Sequence, residues 1–177
     1  SKQSAIIDKI VELEADSDIE WPIIWKVLEH LATEENNKFA QFHLGVLHHQ
    51  MKQDDQEALK WHTKAANQGH AQAQNSLGTI YYKTQQYKMA LPWFEKAAKK
   101  GVADAQNNLG RMYYKGHGVK QDYKKALPLF KKAAKKGVAD AQYNLGLMYY
   151  RGHGVNRDYK KALTWFEKAA DQGVADA

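Results

Sequence analysis

The sequence predicts an all-α protein, a right-handed α-α superhelix (solenoid) of stacked antiparallel helix pairs. Three observations predict it. The run Ala103-Asp104-Ala105-Gln106-Asn107-Asn108-Leu109-Gly110 recurs at 71–78 and 139–146, with a looser copy at 39–45. The closing glycines, Gly45, Gly78, Gly110 and Gly146, step by 33, 32 and 36 residues. A second run recurs in phase with the first, at 57–61, 89–94, 125–130 and 161–166, each leading to Lys-Ala-Ala and then to Gly69, Gly101, Gly137 or Gly173. Self-similarity at such a period marks repeats that cannot bury their own apolar faces and gain a core only by stacking.

Taken in chain order, residues 1–36 lie outside the clear repeats. Over 4–14, Ile6, Ile7, Ile10, Val11 and Leu13 predict a helix. After a turn at Asp16-Ser17-Asp18, helical spacing resumes at Trp21, Ile24, Trp25, Leu28 and Leu31, with Pro22 tolerated in the first turn. This stretch reads as a degenerate helix pair capping the array. Four repeats follow at about 37–70, 71–102, 103–138 and 139–174, and Ala175-Asp176-Ala177 opens a fifth. Terminal repeats need a polar outer face, so the natural protein is expected to continue past Ala175.

Within each repeat two antiparallel helices, A and B, are expected. In the third repeat helix A runs over about 103–115, with Ala105, Leu109, Met112 and Tyr113 at i, i+4, i+7 and i+8. Helix B starts after Asp122, an N-cap that Asp54 and Asp158 match and Gln86 fills poorly. Ala126, Phe130, Ala133 and Ala134 form its apolar stripe, and Gly137 ends it as a left-handed residue behind a lysine-rich last turn. Pro92 and Pro128 fall about six residues into helix B, where each removes a backbone hydrogen bond. A mid-helix glycine costs about 1 kcal/mol against alanine. Four of them in register therefore point to a spot where an alanine-lined helix B comes close.

These residues carry a resemblance. The pattern A-x-A-Q-x-x-L-G-x-M-Y-Y-x-G-x-G-V-x-x-D-Y-x-K-A-L-x-x-F-x-K-A-A-x-x-G resembles the Sel1-like repeat, a relative of the tetratricopeptide repeat. It is clearest at 103–138 and 139–174, whose loops read Lys115-Gly116-His117-Gly118-Val119 and Arg151-Gly152-His153-Gly154-Val155. Repeats one and two lack the G-x-G-V extension, so the array is mixed. The resemblance implies a bacterial scaffold for protein–protein interaction.

Composition excludes several functions. With 44% hydrophobic and 26% charged residues the chain falls in the folded class. No apolar run approaches the roughly 18 residues of a membrane span. No signal-like segment is read at the start, and the compartment stays open between cytoplasm and periplasm or exterior. The absence of cysteine removes thiol catalysis, thiolate metal sites and disulfides. Relatives associated with β-lactam binding are disulfide-stapled, which this chain cannot be. Charge is divided: residues 1–38 hold four lysines against nine acids, and residues 39–177 hold 22 basic against 11 acidic residues.

No catalytic signature is legible, and neither an enzyme nor a cofactor is expected. The two G-x-G tripeptides join helices and follow no strand, so they read as turns and not phosphate cradles. His43, His48, His49 and His62 lack metal-ligand spacing and read as partly exposed helix histidines. The lysine pairs on helix B, such as Lys131-Lys132 and Lys135-Lys136, read as a solvated outer face. Nucleic acid is an unfavoured partner, without a groove-reading motif.

The binding candidates lie on helix A, on a concave face flanking the buried Ala, Leu, Gly and first tyrosine. They are Asn75, Ser76, Tyr82 and Lys83 in repeat two, with Asn107, Asn108, Arg111, Tyr114 and Lys115 in repeat three. Repeat four adds Tyr143, Asn144, Leu147, Tyr150 and Arg151. Of each Tyr-Tyr pair, the first (Tyr81, Tyr113, Tyr149) is assigned to the core and the second to ligand contact. Asn108 and Asn144 share one place in adjacent repeats. They either hydrogen-bond the backbone of an extended peptide, as the resemblance implies, or tie neighbouring helices. Lys83, Arg111, Lys115 and Arg151 favour a protein or peptide partner with acidic groups. An inhibitor, immunity-type or regulatory role, occluding a toxin, effector or kinase, is one alternative, and a nucleic-acid binder using the basic surface is the other.

Overall fold

The computed structural model describes residues 21–51 and 53–174. The helix expected over 4–14, the turn at Asp16-Ser17-Asp18 and the fifth-repeat start at 175–177 lie outside the described residues. Among those described there are nine helices and no strand: α1 Trp21–Thr33, α2 Lys38–Met51, α3 Asp55–Asn67, α4 Ala71–Lys83, α5 Tyr87–Lys99, α6 Ala103–Lys115, α7 Tyr123–Lys135, α8 Ala139–Arg151 and α9 Tyr159–Ala170. Packing divides the chain into two units, one up to Leu77 and one from Gly78 onward, with the boundary inside α4.

The first unit is built on α1, α2 and α3. Ile24, Leu28 and Ala32 of α1 meet Ala40, Leu44 and Leu47 of α2 and Trp61 of α3 in one apolar cluster, with Trp25, Leu31 and Phe39 at its edge. Asn37 begins α2, its Oδ1 accepting from the N–H groups of Phe39 (2.9 Å) and Ala40 (3.2 Å). Asp54 caps α3 in the same manner, accepting from Gln56 and Glu57. Each satisfies donors that a helix start leaves orphaned.

In the second unit Ala126, Phe130, Ala133 and Ala134 of α7 pack on Ala141, Leu145, Met148 and Tyr149 of α8 and Ala162 of α9. Asp122 and Asp158 accept from the N–H groups of Lys125 (3.0 Å) and Lys161 (2.9 Å). Gln86 makes no side-chain cap bond, as its chemistry suggests. Pro92 and Pro128 sit inside α5 and α7. Gly101 and Gly137 adopt left-handed φ values of 86° and 88°, so the next helix can start two residues on.

The glutamine of the repeat has a structural use. Gln41, Gln74, Gln106 and Gln142 each donate from Nε2 to a carbonyl near the end of the preceding helix, those of Ala32, Ala66, Ala98 and Ala134, at 3.0–3.3 Å. A helix C-terminus leaves such carbonyls without intrahelical partners, and a buried one must find a donor.

The mid-helix glycines face something other than an alanine-lined backbone. A Cβ on Gly78, Gly110 or Gly146 would stand 2.6–2.8 Å from the ring of Phe94, Phe130 or Phe166. In the first unit the ring over Gly45 is the imidazole of His62, at 2.7 Å. Helix B thus presses an aromatic ring onto the glycine of helix A. His62 is correspondingly buried, at 5% exposure, and is not the partly exposed helix histidine its neighbours suggested.

Candidate functional site

Helix A ends differently in short-loop and long-loop repeats, and this difference shapes the site. Three residues, 84–86, connect α4 to α5, whereas seven connect α6 to α7 and seven connect α8 to α9. The long loop folds back over its own helix A. Asp122 N–H donates to the Tyr113 carbonyl (2.8 Å) and Gln121 Nε2 to that of Tyr114 (2.8 Å). The short turn leaves Lys83 and Gln85 exposed.

The long loop also grips the repeat before it. His117 stacks on Tyr87 at the start of α5, with ring centroids 4.4 Å apart, and its Nδ1 lies 2.9 Å from the Tyr82 hydroxyl. One repeat later His153 stacks on Tyr123 (4.2 Å), and its Nδ1 lies 2.9 Å from the Tyr114 hydroxyl. Burial, with Lys115 and Arg111, holds His117 below its ordinary value. In the Nε2–H tautomer of the neutral ring, Nδ1 accepts the Tyr82 O–H. The second glycine of each G-x-G has φ near +70° and no room for a side chain: a Cβ on Gly154 would stand 2.7 Å from the Tyr123 carbonyl oxygen. Sequence reasoning left His117, His153, Tyr87 and Tyr123 without a role. The signal was present in a histidine at the same place in both long loops and a tyrosine opening helix B in the last three repeats.

Several expected contacts are thereby taken. Tyr82 and Tyr114, assigned to ligand contact, have their hydroxyls engaged by the loop histidines, and Tyr114 also accepts from Arg151 Nη1 at 3.2 Å. Asn107, placed on the open stripe, is instead buried at 3% exposure and accepts from Asn144 Nδ2 at 3.1 Å. That bond joins α6 to α8, so at this pair the tie between helices is the observed geometry. Tyr143 is half-buried against Phe166, Leu147 is half-buried, and Asn75 and Ser76 are half-buried in the first unit. Lys115, Tyr150 and Arg151 are exposed, Tyr150 at 53% and edge-on to Tyr159.

Four of the expected residues do come together. Tyr82, Lys83, Asn108 and Arg111, with Thr79, Gln85, Tyr87 and Phe94, line a cleft of ≈ 390 Å³ between the end of α4 and α6. The Arg111 guanidinium lies over the Tyr82 ring, Cζ 5.4 Å from its centroid. Burial pushes the Tyr82 hydroxyl up, against the pull of Arg111. No carboxylate lines the cleft. Among the described residues no group of three or more His, Asp or Glu side chains is placed to hold a metal ion, and no helix is long and apolar enough to cross a membrane.

The fold defines a helix-hairpin repeat protein. The chain belongs to the Sel1 repeat family, whose pattern matches residues 38–70, 103–138 and 139–174, while a tetratricopeptide repeat pattern matches 70–100. Among solved structures it is similar to a protective antigen of uropathogenic Escherichia coli displaying an SLR fold, at 36% identity and TM-score 0.85 over 94% of this chain and 37% of that one. A Sel1 repeat protein from Oxalobacter formigenes follows at 32% identity and TM-score 0.77, covering 85% of this chain and 62% of that one. A Sel1 repeat protein from Klebsiella pneumoniae is similar at 28% identity and TM-score 0.64, covering 80% and 71%. The chain thus spans less than two thirds of the first two relatives. No curated protein matches it. Repeats of this kind commonly mediate protein–protein interaction, and the family is generally non-catalytic.

Proposed function

We propose that this chain is a non-catalytic interaction module that holds a partner protein, or an extended segment of one, against the A helices of its second unit. The observation that carries this reading is the cleft between α4 and α6. Its walls are rigid, because Tyr82 is pinned by His117 and by the ring of Tyr87, 5.1 Å away. Its polar groups converge on one space. A preformed concavity of this kind lowers the ordering cost of association. Lys124, Lys125, Lys132 and Lys135 of α7 are exposed on a B helix, where stems over apolar surface and heads in water need no partner.

Site-specific photocrosslinking tests the reading. A benzophenone side chain is placed at Lys115 or Tyr150 on A helices, and at Lys132 or Lys168 on B helices, and the protein is exposed to lysate of its source organism at physiological salt. A protein adduct at the A-helix positions, absent from the B-helix positions, is expected. Adducts formed only from the B helices, or nucleic acid retained and released by salt, would overturn the reading. Loss of a captured enzyme's activity in the complex would mark the module as an inhibitor.

A further inference from the structure

We infer that the cleft between α4 and α6 takes the carboxylate of one aspartate or glutamate side chain within an extended segment of the partner, held by Arg111 together with Lys83. This rests on the A-helix reading above and names the chemistry that would be recognised there.

The first ground is the state of Arg111. Its guanidinium lies over the Tyr82 ring and also hydrogen-bonds that tyrosine's side chain, so little freedom is lost when a ligand arrives, and its remaining N–H groups can donate to a carboxylate. The second is missing countercharge. Among the described residues neither Arg111 nor Lys83 is ion-paired, whereas Lys60 and Lys161 sit 3.0 and 2.9 Å from Glu57 and Asp158. Two cations from neighbouring repeats thus flank a cleft without an acid of its own.

The third ground is that the next repeat does not reproduce the arrangement. Leu147 stands where Arg111 does, and Arg151 is turned onto the Tyr114 hydroxyl. Acid recognition is therefore confined to one place and asks for one acidic residue, not a run. Its source is a side chain and not a chain terminus, because exposed polar groups continue past the cleft, at Lys115 on α6 and at Tyr150 and Arg151 on α8. A bound segment can continue over them.

The test uses the full chain and a displayed library of random 12-residue peptides flanked on both sides, beside a second library with free carboxyl termini. Enriched peptides are then measured by fluorescence anisotropy against the wild type, Arg111→Leu, Lys83→Ala and the outer-helix control Lys168→Ala. Arg111→Leu copies the residue at this place in the next repeat, and its circular dichroism melt reports folding. The expected result is an acidic residue enriched at one position. Its change to the neutral amide should weaken wild-type binding about tenfold or more, on the strength of hydrogen bonds to charged groups. Arg111→Leu should bind acid and amide peptides equally, Lys83→Ala should show a reduced preference, and Lys168→Ala should match the wild type. Peptides enriched without acidic preference, or a preference unchanged in Arg111→Leu, would sink the carboxylate assignment and leave the binding face standing. Enrichment confined to free carboxyl termini would also overturn it. Retention of no peptide from either library would count against the assignment and the binding face together.

Discussion

His62 of α3 lies over Gly45 of α2, its Nδ1 2.7 Å from where a Cβ on that glycine would stand, in the slot that Phe94, Phe130 and Phe166 fill in the other repeats. The Nδ1 atom is buried without a hydrogen-bond partner, and the ring packs at 5.7 Å from Phe42. An imidazole in a phenylalanine slot must stay neutral there. Burial, and secondarily the charge of His49, lowers it from 6.5 to about 4.

The first prediction follows from that value. Between pH 6.5 and about 4 the unfolded chain takes up a proton at His62 that the folded chain refuses. Stability is therefore full above the unfolded value and falls as pH drops through this window, by at most about 3 kcal/mol. His62→Phe should raise stability at pH 7 and flatten the acid limb. Urea unfolding of both proteins at pH 7 and 4.5 measures this, and equal acid sensitivity would refute it.

A second prediction concerns the rings over the glycines. Gly110→Ala would ordinarily gain about 1 kcal/mol of helix propensity. Here the new methyl would meet Phe130 at 2.8 Å, deep in the core, and overpacking of this kind costs about 1–3 kcal/mol. The variant should melt lower than the wild type, and adding Phe130→Leu should recover part of the loss. A rise in melting temperature for Gly110→Ala alone would show that the ring yields without strain.

The tyrosine–histidine contact between repeats gives a third. Tyr114→Phe removes the hydroxyl that lies 2.9 Å from His153 Nδ1 and accepts from Arg151, at a cost of about 1 kcal/mol. Amide hydrogen exchange should quicken in the loop 152–158 and stay unchanged in 116–122, where Tyr82 serves His117. Equal exchange in both loops would argue that stacking on Tyr123 alone holds the loop.

The asparagine pair supplies a fourth. Asn107→Ala leaves the half-buried Asn144 amide without its acceptor and should destabilise by about 1–2 kcal/mol. Asn144→Ala should cost a similar amount, and the double variant should cost less than the two added, because both lose one shared bond. Additive losses in a urea double-mutant cycle would show that the two asparagines act separately.

Much of the helical framework was legible from residue order. The Asp122 and Asp158 caps, the Gly101 and Gly137 stops and the run of A and B helices follow from local chemistry, since each depends on groups within a few residues. The in-phase glycines pointed to close contact at the correct positions. They did not reveal that an aromatic ring, and in one repeat an imidazole, makes that contact, because the pairing joins residues on different helices.

Which members of the candidate stripe are engaged within the fold was not legible. Asn107 and Asn144 are 37 residues apart, and Tyr82 and Tyr114 lie 35 and 39 residues from the histidines they bond. Which hydroxyl meets which ring is decided when one repeat's loop closes on its neighbour, and a motif read one repeat at a time contains no such information. The sequence by itself determined the period, the helix ends and the class of protein, all of which rest on short-range hydrogen bonding and apolar spacing. Only the tertiary structure decided that Arg151 meets the Tyr114 hydroxyl and that Lys83 and Arg111 line one cleft. The physical reason is that these contacts join residues on different helices, which meet only when neighbouring repeats stack.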